Sequence, residues 1–119
     1  MKVICSEKLE KIVNELEKKW VENYRIGNVV YTGEMTGEIR HGKGTQIWDD
    51  GAKYEGAWKF NKASGYGTFY HIDGDVYQGN WDNDQANGYG TYIHADGAQY
   101  QGNWLNDMQD GLGNYIKLI

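Results

Sequence analysis

His71 and His94 stand at equivalent places in two successive copies of one recurring phrase, so they are the first residues to weigh for chemistry. Paired imidazoles suggest zinc. If each copy folds as a hairpin, equivalent positions lie two strand spacings apart, about 9.5 Å. Zinc sits ~2.0–2.1 Å from each nitrogen, so it bridges that gap only where side chains converge. Cys5, the single cysteine, is remote in sequence. No metal site is expected, and both histidines are assigned to a polar surface.

The acidic groups Asp49-Asp50, Asp73 with Asp75, and Asp96 raise calcium. They lack the EF-hand spacing, and Asp before Gly is what a tight turn asks for. The Gly-x-Gly pairs raise a phosphate cradle, which needs a helix N-terminus after it and usually Lys-Ser/Thr. Here each pair falls within a strand, and close packing beneath large rings is the structural role. No Ser/His/Asp or Cys/His grouping recurs. Catalytic residues, cofactors and metals are all expected to be absent.

What recurs is a phrase of 23 residues. Tyr31 opens YTGEM, Tyr54 YEGAW, Tyr77 YQGNW and Tyr100 YQGNW. The units are 31–53, 54–76, 77–99 and a shorter 100–119. A fixed period of this kind marks an array of one small unit whose stacked copies present an extended surface. Gly returns at unit positions 12 and 14, and Asp-Gly closes each complete unit at Asp50-Gly51, Asp73-Gly74 and Asp96-Gly97. Asp-Gly between alternating segments signals a hairpin with a type I′ turn, so each unit reads as two antiparallel strands.

Residues 1–30 precede the array. Ser6 is an N-cap, and Leu9, Ile12, Val13, Leu16 and Trp20 form one apolar stripe, which predicts an amphipathic helix over about 6–19. Val21 to Ile26 then reads as a strand, turning at Gly27-Asn28 into the array as a degenerate half-repeat.

A two-residue Asp-Gly turn pairs unit position 17 with the next Tyr, 15 with the next Gly and 13 with the next Trp. Opposed residues share a face. One face then collects Tyr54, Trp58, Tyr77, Trp81, Tyr100 and Trp104 with Tyr66, Tyr70, Tyr89, Ile47, Ile93, Leu112 and Ile116. The other receives the position-12 and position-14 glycines, Glu55, Gln78, Gln101, Asn80, Asn103, His71 and His94. A domain normally needs two packed layers to bury a core, so something must cover the aromatic side. A 14-residue helix, about 21 Å long, would reach across part of three hairpins.

The pattern Y-x-G-x-W, six residues, G-x-G, five residues, D-G resembles the MORN (membrane occupation and recognition nexus) repeat over residues 31–119. Met35 departs from it in place of Trp, as do Glu38, Asn61, Asp84 and Asp107 at position 8, often Gly in the family. The position-8 departures are expected to lengthen or restructure the loops without threatening the fold. The resemblance implies a mainly β fold, a single-layer antiparallel meander of hairpins with a groove, here about eight strands plus the N-terminal helix. It also implies a scaffold or adaptor role, often in cytoskeleton, cilium or membrane junctions, or as a module beside lipid-kinase or methyltransferase domains.

Charge narrows the partners. Residues 1–30 carry six Lys/Arg against five Asp/Glu, and residues 31–119 six against twelve. An acidic array repels phosphate backbones and anionic lipid, so nucleic acid is not expected and a phosphoinositide-reading membrane module is the weaker alternative. A regulatory subunit of an enzyme on another chain is a third. Mean hydropathy is −0.78, no apolar run reaches the roughly 20 residues of a span, and Met1 to Cys5 reads as no secretory leader. A single cysteine adds to a cytoplasmic expectation. The expected partner is a helical or apolar protein segment anchored by Tyr54, Trp58, Tyr66, Tyr70, Tyr77, Trp81, Tyr89, Tyr100 and Trp104. Self-association through the last strand, with Leu118 and Ile119 exposed and Lys117 as its protection, is a further expectation.

Overall fold

The computed structural model describes residues 6–15 and 17–116. Cys5, Leu16, Lys117, Leu118 and Ile119, with the side chains of Ser6 and Val13, lie outside that description. Helix α1 (Ser6–Glu15) leads into β1 (Lys18–Ile26), β2 (Val29–Thr36), β3 (Ile39–Trp48), β4 (Lys53–Lys59) and β5 (Lys62–Tyr70). Then come β6 (Val76–Asp82), β7 (Gln85–Ile93), β8 (Gln99–Leu105) and β9 (Met108–Ile116). All nine strands form one antiparallel sheet in chain order, a single-layer meander as the repeats require.

The helix is shorter than its apolar stripe suggests. It has 10 residues, about 15 Å of rise, too little to cross three hairpins. Lys18 to Ile26 pairs with β2 instead, so Trp20 stands in a strand at 61% exposure. Trp20, Val21, Tyr24 and Ile26 favour extended backbone, and ladder hydrogen bonds outweigh another helical turn. Leu9 and Ile12 stay exposed, while Glu10 pairs with Lys59 at 3.1 Å.

The Asp-Gly turns differ from the two-residue form, and the difference resets the sheet. Trp48 N–H donates to Ala52 O at 2.9 Å and Gly51 N–H to Trp48 O at 2.9 Å, so the loop is Asp49-Asp50-Gly51. Only Gly51 takes a positive φ, +97°. This is a type I turn followed by a left-handed glycine. Asp50 accepts the Ala52 N–H at 2.9 Å, an Asx turn that holds the aspartate at negative φ. The loops ending in Gly74 and Gly97 repeat this bonding.

Three loop residues in place of two move the pairing by one. Tyr54 opposes Gln46, Gly56 opposes Gly44 and Trp58 opposes Gly42. The glycines therefore share the Tyr/Trp face. Tyr66, Tyr70 and Tyr89 fall on the opposite face, with Ile47, Ile93, Thr45, Thr68 and Thr91, beside Glu55, Gln78, Asn80 and Asn103. The expected membership of Tyr66, Tyr70 and Tyr89 in the aromatic face is thus corrected. His71 moves the other way, its ring 4.6 Å from Phe69 on the Tyr/Trp side.

At the far end the hairpins turn in two residues, with both central φ positive: Phe60-Asn61, Asn83-Asp84 and Asn106-Asp107. The position-8 departures therefore do not lengthen these loops. Asn and Asp tolerate the left-handed region and take on a second task. Asn61 Oδ1 accepts Arg40 N–H at 2.8 Å, Asp84 Oδ1 accepts Ala63 N–H at 2.7 Å, and Asp107 Oδ1 accepts Ala86 N–H at 2.7 Å. Their own N–H groups donate back to Arg40, Ala63 and Ala86 carbonyls. Each unit is thereby clamped to the one before it.

The core is one ladder of rings. Tyr54 lies edge-on to Trp58 and Trp81 at 5.1 and 5.4 Å, and Tyr77 to Trp81 and Trp104 at 5.2 and 5.3 Å. Each Tyr covers a position-14 glycine, where a Cβ would collide with the phenol. Tyr31, Tyr54 and Tyr77 hydroxyls donate to the carbonyls of Glu34, Ala57 and Asn80, and Trp58, Trp81 and Trp104 indoles donate to Gly44, Gly67 and Gly90. Burial pushes the Tyr31 and Tyr77 hydroxyls up to about 12, so they remain donors at any ordinary pH.

His41 is a buried acid-sensitive point. Its Nδ1 accepts the Phe60 N–H at 3.2 Å, and the two rings lie 5.2 Å apart. Burial, then Lys18 and Lys59, lower its pKa below the free histidine value, against a smaller raising effect of Glu10 and Glu34. Its contribution is fully present above about pH 6.5 and is lost as pH falls through the lowered folded value. The urea midpoint should drop between pH 7.5 and 5.5. A His41→Gln variant should drop less; an equal drop would remove His41 from the explanation.

Candidate protein-binding groove

Two adjoining clefts run along the Tyr/Trp face, of about 360 and 290 Å³. Trp58, Trp81 and Phe69 with Gln46 and Trp48 line the first; Trp81, Trp104, Tyr92, Phe69 and His71 line the second. Phe69, Trp81 and Asp84 belong to both, which makes one groove. No described residue of α1 lines it.

The one-residue shift of register explains the lining. Gln46, Phe69, Tyr92 and Tyr115 share one unit position, and Phe69 and Tyr92 pair with Tyr77 and Tyr100 on this face. The sequence reading missed Phe69 and Tyr92. Aromatic recurrence at that position was their signal, and it points inward only when the loop has three residues.

Of the nine proposed anchors, six lie on the groove face. Tyr54 and Tyr77 are its buried floor at 1 and 3% exposure, Tyr100 is buried on the same face at 1% without lining either cleft, and Trp58 and Trp104 are buried as well. Trp81 is half-buried and faces both clefts. Tyr66 and Tyr89 are exposed on the opposite face, where Tyr66 lines a shallow depression with Trp20. Tyr70 there carries the Lys53 ammonium 4.6 Å from its ring centroid.

Polar groups occupy the rims. On the turn side, Tyr92 donates to Asp75 Oδ2 at 2.7 Å and Ala95 N–H to Asp75 Oδ1 at 2.8 Å. The Tyr92 bond, then the Ala95 bond, hold the Asp75 carboxyl below the usual range, while burial and then that same bond push the Tyr92 hydroxyl up. His71 and His94 flank Tyr92 with ring centroids 5.9 and 4.9 Å away, and His94 Nδ1 lies 3.7 Å from Asp75 Oδ2. On the clamp side stand Arg40, Asn61, Asp84 and Asp107. An aromatic floor between polar rims can bury apolar side chains and orient them with a few hydrogen bonds.

Comparison with known proteins places this arrangement. The MORN repeat family matches four consecutive times, at residues 31–53, 54–76, 77–99 and 100–117. The chain is also similar to MORN repeat-containing protein 3 of Xenopus laevis, 43% identical over 44 residues. That match covers 36% of this chain and 18% of the relative, so it compares about two units and spans well under two thirds of the relative.

Proposed function

This chain belongs to the MORN-repeat family, and from that membership and its open groove we propose that it is a non-catalytic protein-binding module. A partner's apolar or helical segment lies along the Tyr/Trp face, with Phe69, Trp81 and Tyr92 as its side-chain contacts. The observation that carries this reading is the pair of clefts with matching linings on an aromatic face that no described residue of α1 covers. Such a module serves as a scaffold or adaptor in a cytoplasmic assembly, of which a cytoskeletal or ciliary one is an instance. The membrane-surface alternative has the charge against it, with twelve acidic and six basic residues over 31–119.

The test is site-specific photocrosslinking in native extract. A benzophenone side chain placed at Phe69 should give protein adducts, while one at Tyr66 on the opposite face should give few. Adducts from position 66 alone would move the interface to the other face. Co-sedimentation with vesicles containing anionic lipid at physiological salt, without protein adducts, would favour the membrane reading.

A further inference from the structure

The two clefts differ in one informative respect. Every residue lining the second lies 23 positions after one lining the first: Asp84 after Asn61, Trp81 after Trp58, Tyr92 after Phe69. The first has one lining residue without such a counterpart, Arg40; 23 positions on stands Ala63, whose side chain ends at Cβ.

Arg40 shows what this position accommodates. Its guanidinium carbon lies 4.8 Å from the Trp58 ring centroid. Its Nε donates to Asn61 Oδ1 and Nη2 to Asn61 O, both at 3.2 Å, and Nη1 donates to Gln46 Oε1. The chain thus carries its own cation on its first groove tryptophan, and Trp58 is 5% exposed. One unit later the backbone frame is repeated, with Ala63 N–H bonded to the side chain of residue 84 as Arg40 N–H is to that of residue 61. Two things change together. The cation is gone from a tryptophan that is half-buried, and the neutral amide has become a carboxylate. Asp84 uses Oδ1 on the Ala63 N–H, and Oδ2 receives no hydrogen bond from a described residue. Residues 63–116 hold seven Asp and no Lys or Arg; Arg40 of the first cleft acts on Asp84 electrostatically but makes no hydrogen bond or ion pair with it.

We propose that the second cleft receives an arginine side chain from the partner protein, its guanidinium laid over Trp81 and paired with Asp84. The inference rests on the groove being the protein-binding face and adds what the bound segment must carry. A guanidinium suits the site better than an ammonium because it is planar, stacks on an indole and offers a fork of donors to a carboxylate. Its attraction to the ring face and to Asp84 are separate contributions.

The test uses the full chain labelled with ¹⁵N and two small probes, Nα-acetyl-arginine methylamide and its neutral citrulline isostere. The reporter is the Trp81 indole N–H, which donates to Gly67 O at 3.1 Å and is assigned through Trp81→Phe. Arginine should give a saturable Trp81 shift with an apparent Kd about fivefold or more below that of citrulline. Asp84→Asn, which installs the amide found at Asn61, should bring the two probes together. Ala63→Arg should abolish the arginine response by laying the chain's own guanidinium over Trp81, as Arg40 lies over Trp58. Equal affinity for both probes, an undiminished preference in Asp84→Asn, or no saturable shift would overturn the proposal. If Ala63→Arg fails to fold by circular dichroism, the citrulline and Asp84→Asn arms decide alone. Crosslinks at position 69 with no arginine preference would leave the groove reading standing and this one not; loss of those crosslinks would remove the groove reading itself.

Discussion

Tyr54→Ala should lower the unfolding free energy by about 3–5 kcal/mol, the range for removing a fully buried aromatic. The ring is 1% exposed and packs edge-on to Trp58 and Trp81, so its loss opens a hole between two units rather than within one. The hydroxyl adds a smaller part. It donates to Ala57 O at 2.8 Å, and Tyr54→Phe should cost about 1 kcal/mol. Against a typical total of about 5–15 kcal/mol, the alanine variant should lose cooperative unfolding first around units two and three. Urea denaturation followed by tryptophan fluorescence measures it. Tyr66→Ala is the control: at 64% exposure on the other face it should change stability by less than about 0.5 kcal/mol. Comparable losses in the two variants would mean that the faces are assigned wrongly.

Gly67→Ala should cost about 1–3 kcal/mol through overpacking alone. The φ at Gly67 is not in the left-handed region, so backbone strain contributes nothing. The obstacle is the Tyr54 phenol: a Cβ at Gly67 would stand 2.5 Å from its Cζ, where carbon atoms prefer about 3.5–4.0 Å. Neither partner yields easily. Gly67 is held in the ladder by Gly56 and Gly79 on either side, and Tyr54 is wedged between two indoles. The collision predicts strong coupling. In a Tyr54→Ala background the same Gly67→Ala change should be nearly neutral, with an interaction energy of about 1–3 kcal/mol in a double-mutant cycle. Additive losses would break the link between the Tyr and Gly of the repeat.

Tyr54 and Gly67 both recur legibly in the spacing, but a two-residue turn puts the glycines on the face away from the rings, and only the observed register brings Gly67 under Tyr54. The period of 23, the hairpins and the membership of Tyr and Trp in one face follow from Tyr-x-Gly-x-Trp and the Asp-Gly punctuation, and the one-layer sheet from the resemblance to the MORN repeat. The helix boundary was not legible, because the apolar residues around Trp20 fit a helical stripe and a strand equally until β2 offers a ladder. Half of the groove was not legible either. Phe69 and Tyr92 could be placed only once the loop was known to hold three residues. Asp84 and Asp107 looked like departures from a pattern, yet they clamp neighbouring units and stand on the groove rim.

The sequence by itself therefore determined the repeat, its strands and the rings that must stack, because these depend on local periodicity and on chemistry within one unit. Only the tertiary structure decided which residues stand opposite those rings. A side chain's face alternates with every residue, so one extra loop position, held by the Asp50 side chain and a left-handed Gly51, sends Tyr66 out and Phe69 in.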